Sequence, residues 1–240
     1  MRVQAFELNE PLPELKEPHA LAMLRPWIDI GNVGTMLLSR LEACFGAKEL
    51  GKLARPGNFF DFTRYRPNIY LQEGTRRLAI PNATVTYARR ESGNDFIFLH
   101  LLEPHMLGEA YTNSILRLLE LFHVKRYLLL GSMYDIVPHT RPFLVTGGST
   151  AKKLGEDLEK AGVRSSSYQG PTTITYLVPQ KAAELGIEST SLIVHLPQYL
   201  PLEEDYTGLV RLMEVISTLY GIPVDKSDTE KAMNQRSEID

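Results

Sequence analysis

The sequence specifies an α/β protein built on a mixed, mainly parallel sheet, and three stretches carry that reading. Residues 20–45 run from a short apolar strand, Ala20 to Trp27, through the glycine turn Ile28-Asp29-Ile30-Gly31-Asn32-Val33-Gly34 into a helix that reaches about Phe45. Residues 107–131 place a helix of three- and four-residue period (Tyr111, Ile115, Leu118, Leu119, Phe122) ahead of the strand Arg126 to Gly131. Residues 191–220 supply a strand, Ser191 to Leu196, and then a helix with Leu209, Leu212, Met213, Ile216, Leu219 and Tyr220 along one face. Strands alternating with helices of this length pack as helical layers on an open sheet.

Between the first two units the period changes from helix to strand. Leu50 to Ala54, Ile69 to Gln72, Arg76 to Ile80, Thr84 to Arg90 and Phe96 to Leu102 read as short strands punctuated by Pro-Gly, Glu-Gly, Pro-Asn and Ser-Gly-Asn. Their connections are too short for crossover helices, so some pair antiparallel. The segment 58–67 has no strand period and packs Phe59, Phe60, Phe62 and Tyr65 into ten residues. It is either a core flap or an interface patch, and the interface reading makes these four residues candidates for self-association.

Further along, Phe143 to Thr146 reads as a strand, and Gly147-Gly148-Ser149-Thr150 opens a helix to Ala161 with Lys152 and Lys153 in its first turn. The β-branched run Thr172-Thr173-Ile174-Thr175-Tyr176 favours a strand, and Pro179 argues against a helix reaching Gly186. The organisation expected is an N-terminal extension at 1–19, one domain at 20–222 and a polar tail at 223–240 that is frayed.

Composition narrows the function. With 43% hydrophobic and 23% charged residues and a net charge of -3, the chain has an ordinary globular make-up and no nucleic-acid footprint. No apolar run approaches the roughly 18 residues that span a bilayer, and the first residues lack a signal-peptide core, so a cytoplasmic protein without a membrane partner is expected. The single cysteine, Cys44, lies among Leu37, Leu38, Leu41 and Phe45 and reads as a buried structural thiol.

The richest polar stretch follows the strand at 127–131, where Asp135, His139, Thr140 and Arg141 stand in a loop bounded by prolines. Strand ends of an open sheet gather on one edge, so these residues, together with Asp29, Gly31, Asn32 and Gly34 and with Gln169 and Thr172, are candidates for one ligand pocket. In it Arg141 would clamp an anion and His139 would move a proton; the alternative pairs Arg141 with Asp135 to shape the loop. The glycine turn has its own plain reading, a tight turn against a neighbouring strand. His100, Glu103 and His105 lack the one-helix spacing of a zinc site because Pro104 intervenes, so no metal is expected. Ser132 has no nucleophile elbow and Gly147-Gly148-Ser149-Thr150 no P-loop spacing, while His195 reads as a satisfied core histidine.

Taken in order, Trp27 to Gly34, Phe59 to Pro67, Leu101 to His105, Leu129 to Pro142, Tyr168 to Ile174 and Ser191 to Tyr199 resemble the blocks of the proteasome assembly chaperone two family over about Ala20 to Gly221. The resemblance implies a three-layer α/β/α fold similar to nucleoside phosphorylases, self-association into rings or smaller oligomers and, for many members, no assigned activity; no cofactor is expected. It also implies a helix over 171–185 that Pro179 kinks or splits. Members that dock on proteasome rings end in a hydrophobic-tyrosine motif, whereas this sequence ends Ser237-Glu238-Ile239-Asp240, so tail docking is not expected. The function expected is a non-enzymatic, homo-oligomeric protein-interaction factor. The alternative is a small-molecule protein or enzyme that uses the strand-end pocket for a nucleoside-like or anionic ligand.

Overall fold

The computed structural model describes residues 1–239. In chain order its elements are β1 (Arg2–Val3), β2 (Phe6–Leu8), β3 (His19–Arg25), α1 (Val33–Phe45), β4 (Lys48–Leu53), β5 (Asn68–Gln72), β6 (Thr75–Ala79), β7 (Thr84–Ala88), β8 (Phe96–Leu102), α2 (Gly108–Leu121), β9 (Arg126–Asp135), β10 (Val145–Ser149), α3 (Lys152–Lys160), β11 (Val163–Ser165), α4 (Leu177–Glu184), β12 (Glu188–Pro197), α5 (Tyr206–Tyr220) and α6 (Lys226–Ser237).

Ten strands form one sheet in the order β1-β2-β4-β7-β8-β3-β9-β12-β10-β11, and β5-β6 is a separate hairpin. The centre, β8-β3-β9-β12, is parallel. On one flank β1, β2, β4, β7 and β8 pair antiparallel in succession, and on the other β10 runs antiparallel to β12. Burial explains the division. Six of the seven residues of β3, His19-Ala20-Leu21-Ala22-Met23-Leu24-Arg25, are buried, so that strand is covered on both faces, as parallel strands require.

Alternate β3 residues feed two cores. Ala20, Ala22 and Leu24 join α2 and α4 on one face, while Leu21 and Met23 join α1, α3 and α5 on the other, which makes three α/β/α layers. The helix boundaries follow local chemistry. α1 stops at Gly46, whose φ of 59° lets its N–H return to the Ala43 and Glu42 carbonyls, and α5 starts where the Asp205 side chain accepts the Gly208 N–H at 2.7 Å.

Several expectations are corrected. Residues 1–8 of the expected extension join the fold, because Val3 of β1 and Phe6 and Leu8 of β2 enter the core. The tail is not frayed where it is described: α6 packs on α5, capped by Asp225, and Asp228 takes a bidentate pair from Arg40 at 2.8 and 2.9 Å. Asp240, part of the sequence argument on tail docking, lies outside the described residues. The 172–176 run is no strand; a short 3₁₀ turn leads into α4, and Pro179 is the third residue of that helix, where its missing N–H has no intrahelical partner to lose. Cys44 is exposed, not buried, because it shares the outer side of the last turn of α1 with exposed Ala43 while Phe45 turns in against Phe96 at 5.6 Å between ring centroids.

Candidate functional site

The structure divides the expected strand-end pocket among three places. The glycine turn is consumed by packing. Asp29 is buried and accepts the Thr35 N–H at 3.0 Å and the Thr35 hydroxyl at 2.6 Å, tying the turn to the first coil of α1. Burial pushes its carboxyl up, and the Thr35 bonds oppose that shift. A Cβ on Gly34 would lie 3.0 Å from the Asp29 carboxylate and 3.1 Å from the Leu130 carbonyl, so the approach of α1 to β9 needs glycine. Gly31 has φ +62° and its carbonyl accepts the Asp205 N–H at 2.9 Å, while the Asn32 amide donates to the Glu203 carbonyl at 2.9 Å. The turn therefore faces the 203–205 loop.

The 135–141 loop goes elsewhere. Asp135 Oδ2 lies 2.8 Å from His195 Nδ1, and His195 Nε2 lies 2.7 Å from Thr146 Oγ1, so an Asp-His-Thr chain crosses β9, β12 and β10. Burial pushes the Asp135 carboxyl up, but the His195 hydrogen bond and that from the Ile136 N–H outweigh it and hold the group below its usual range. An ionised Asp135 accepts from Nδ1–H, which leaves Nε2 to accept the Thr146 hydroxyl proton. The sequence named Asp135 but missed that its partner is the core-like His195, because the two sit on neighbouring strands 60 residues apart. His139 meets the Tyr199 hydroxyl through Nδ1 at 2.8 Å. Thr140 and Arg141 are exposed, and Arg141 makes no hydrogen bond or ion pair among the described residues, so the Asp135 pairing is not formed and Asp135 goes to His195 instead.

A large cavity lies beside these groups, on the face of β9, β12 and β10 that α4 leaves partly uncovered. It measures about 680 Å³ and runs from Trp27 and Ile28 past Met133 and Ile193 to Ser189 and Tyr168. Of the ten predicted pocket residues only Thr172 lines it, and Gln169 is exposed outside it. No Asp, Glu, Lys, Arg or His is among the described residues that line this cleft.

Of the interface candidates, Phe59 and Phe60 are buried and pack on Tyr111 at 5.2 and 6.0 Å, and Phe62 and Tyr65 are half-buried against the same core. That segment is a core flap. The apolar surface lies just after it, on β5-β6, where all ten strand residues are exposed. Ile69 pairs with Leu78 and Leu71 with Arg76, so Ile69, Leu71 and Leu78 share one face of the ribbon at 70%, 71% and 58% exposure. His100, Glu103 and His105 part company: His100 meets Glu42 at 3.0 Å, His105 Nδ1 accepts the Asp61 N–H at 3.1 Å, and Glu103 accepts the Ile174 N–H. No helix among the described residues is long and apolar enough to cross a membrane.

Comparison with known proteins gives a consistent result. The PAC2 family model matches residues 23–239. A crystal structure of a PAC2 family protein from Streptomyces avermitilis is similar with a TM-score of 0.84 at 21% identity, covering 92% of this chain and 94% of that one. Pyrococcus furiosus PbaB, an archaeal proteasome activator, aligns with a TM-score of 0.77 at 14% identity over 98% and 96% of the two chains. Pyrococcus furiosus PbaA, an archaeal homologue of proteasome-assembly chaperone, aligns at 0.67 and 18% over 98% and 94%. At these identities the structures show a shared fold. No curated protein matches the sequence.

Proposed function

The chain belongs to the PAC2 family, and from that premise we propose that it is a non-enzymatic, homo-oligomeric protein-interaction factor of the assembly-chaperone kind, working in the cytoplasm. The observation that carries this reading is the β5-β6 hairpin. A two-stranded ribbon in water is marginal on its own, and this one holds three aliphatic side chains on a single exposed face. Burying each of them against a neighbour contributes roughly 1.5 to 3 kcal/mol, enough for a few such contacts to hold subunits together. Folds shared with an archaeal proteasome activator and with an archaeal homologue of proteasome-assembly chaperone favour a proteasome component as the partner beyond the chain itself.

The test is recovery of the tagged protein from cross-linked cells with mass spectrometry of what accompanies it. The expected result is a reproducible set of subunits of one assembly, lost when Leu71→Asp and Leu78→Asp are introduced together. Recovery of the chain alone under several lysis conditions would overturn the partner reading.

A further inference from the structure

The 680 Å³ cleft lies within the roughly 300–1,000 Å³ range of small-molecule sites, and its walls come from five separate segments, so it is a concavity and not a flat docking face. Its floor is the sheet itself. Ser189, Ser191 and Ile193 alternate along β12 toward the cavity, with Leu129 and Met133 beside them on β9. Its rim is aromatic: Trp27, Tyr134, Tyr168 and Tyr176 are 60%, 37%, 59% and 66% exposed around one opening.

One buried group at the floor has no structural employment. Ser189 is 4% exposed, and its Oγ makes no hydrogen bond among the described residues. Nearby hydroxyls on β10, β12 and the turn after β10 are engaged, Thr146 with His195, Thr150 with the Ser189 backbone, and Ser149 with Thr190 and the Ala151 N–H, while Ser191, unpaired among the described residues, is only half-buried. A buried hydroxyl left unpaired destabilises a fold, and nothing in the packing of β12 requires one at this position.

We propose that this cleft is a binding site for an uncharged, planar, mainly apolar small molecule that carries a hydrogen-bonding oxygen or nitrogen for Ser189. The absence of Asp, Glu, Lys, Arg and His from the described lining sets the charge, since an ionic ligand would lose its hydration with no counter-charge to replace it. The four aromatic rings at the mouth set the shape, because they stack on flat ring systems. The site goes beyond the protein-interaction reading and does not use the β5-β6 hairpin, so the two fail separately.

The experiment titrates the full chain with Nile red, an uncharged planar dye bearing carbonyl and amine acceptors whose emission rises in apolar surroundings. Saturable, blue-shifted emission at one dye per chain is expected. Gly148 lines the cleft, and a Cβ there meets nothing within 4 Å, so Gly148→Trp folds normally and blocks the site. Ser189→Ala leaves the Tm of the free protein unchanged or higher and weakens the dye roughly five- to tenfold, the loss of one hydrogen bond. 2-Naphthol displaces the dye and naphthalene-2-sulfonate does not. Should Gly148→Trp unfold, Trp27→Ala at the exposed rim replaces it, with weaker dye binding expected at unchanged Tm. Absent or non-saturable emission, emission indifferent to Gly148→Trp and Trp27→Ala, or equal displacement by the sulfonate would each overturn the proposal.

Discussion

Two consecutive segments, 58–67 and 68–79, hold much of the apolar character of the middle of the chain and meet opposite fates. The first is pinned: the Phe59 carbonyl accepts the N–H groups of His105 and Met106, the Tyr65 hydroxyl donates to the Glu103 carbonyl, and the two phenylalanines close on Tyr111. The second touches mainly itself, its strands paired with each other and with no third strand. Aromatic density by itself does not mark an interface. Phe and Tyr clustered without strand period filled the space between α2 and the sheet, whereas aliphatic residues on a regular ribbon were left outside. The difference lies in anchoring to other elements, which depends on residues some 40 positions away.

The comparison is sharpest where it predicts loss of stability without loss of assembly. Phe60 is 1% exposed, so Phe60→Ala opens a cavity and costs about 3–5 kcal/mol in urea unfolding while the mass of the folded particle stays as in the wild type. Dissociation with little change in stability would return this segment to the interface. A second buried group reports through pH. Burial, followed by the charge of Arg126, holds the His19 pKa down at about 4, with Glu188 opposing and Arg90 assisting, and its Nδ1 lies 2.8 Å from the Tyr220 hydroxyl. The folded pKa is below the unfolded one of about 6.5, so the unfolded chain takes the proton first. Stability is therefore lost as pH falls from 6.5 toward 4, by about 2 kcal/mol between pH 7 and 5, and His19→Gln removes that slope. Equal slopes in the two proteins would mean that His19 is solvated.

A smaller effect belongs to α6. The Asp228 side chain is 3% exposed and its charge is met by Arg40, which is 40% exposed and so partly screened. Arg40→Met costs about 1 kcal/mol, felt as faster hydrogen exchange in 226–237 with the sheet amides unchanged. Exchange that spreads to β3 would show α6 to be part of the cooperative core.

What could be read from the sequence is what depends on near neighbours. β8 lies at 96–102 as its apolar run indicates, and α1 ends at Phe45 because Gly46 follows. β1, β2 and β11 have two or three residues each, too few to show a period; β2 exists through pairing with β4, some 45 residues on, β1 by pairing with β2, and β11 by pairing with β10 across α3. α6 has almost no apolar face, with Ala232 its buried aliphatic residue, and is held by a cap and an ion pair whose partner is 188 residues away. The cleft escaped for a related reason. It is lined by hydroxyls, glycines and aromatics from five segments, none of them a motif, and the mark of Ser189 is a missing partner, which no sequence displays.

The claim that the hairpin assembles the protein is tested most directly by light scattering on the eluting particle. The wild-type chain is expected at a whole-number multiple, two or more, of 27.1 kDa at micromolar concentration, and the chain carrying both Leu71→Asp and Leu78→Asp at 27.1 kDa with an unchanged circular dichroism spectrum. A wild-type monomer, or a double variant that keeps the full mass, would contradict it.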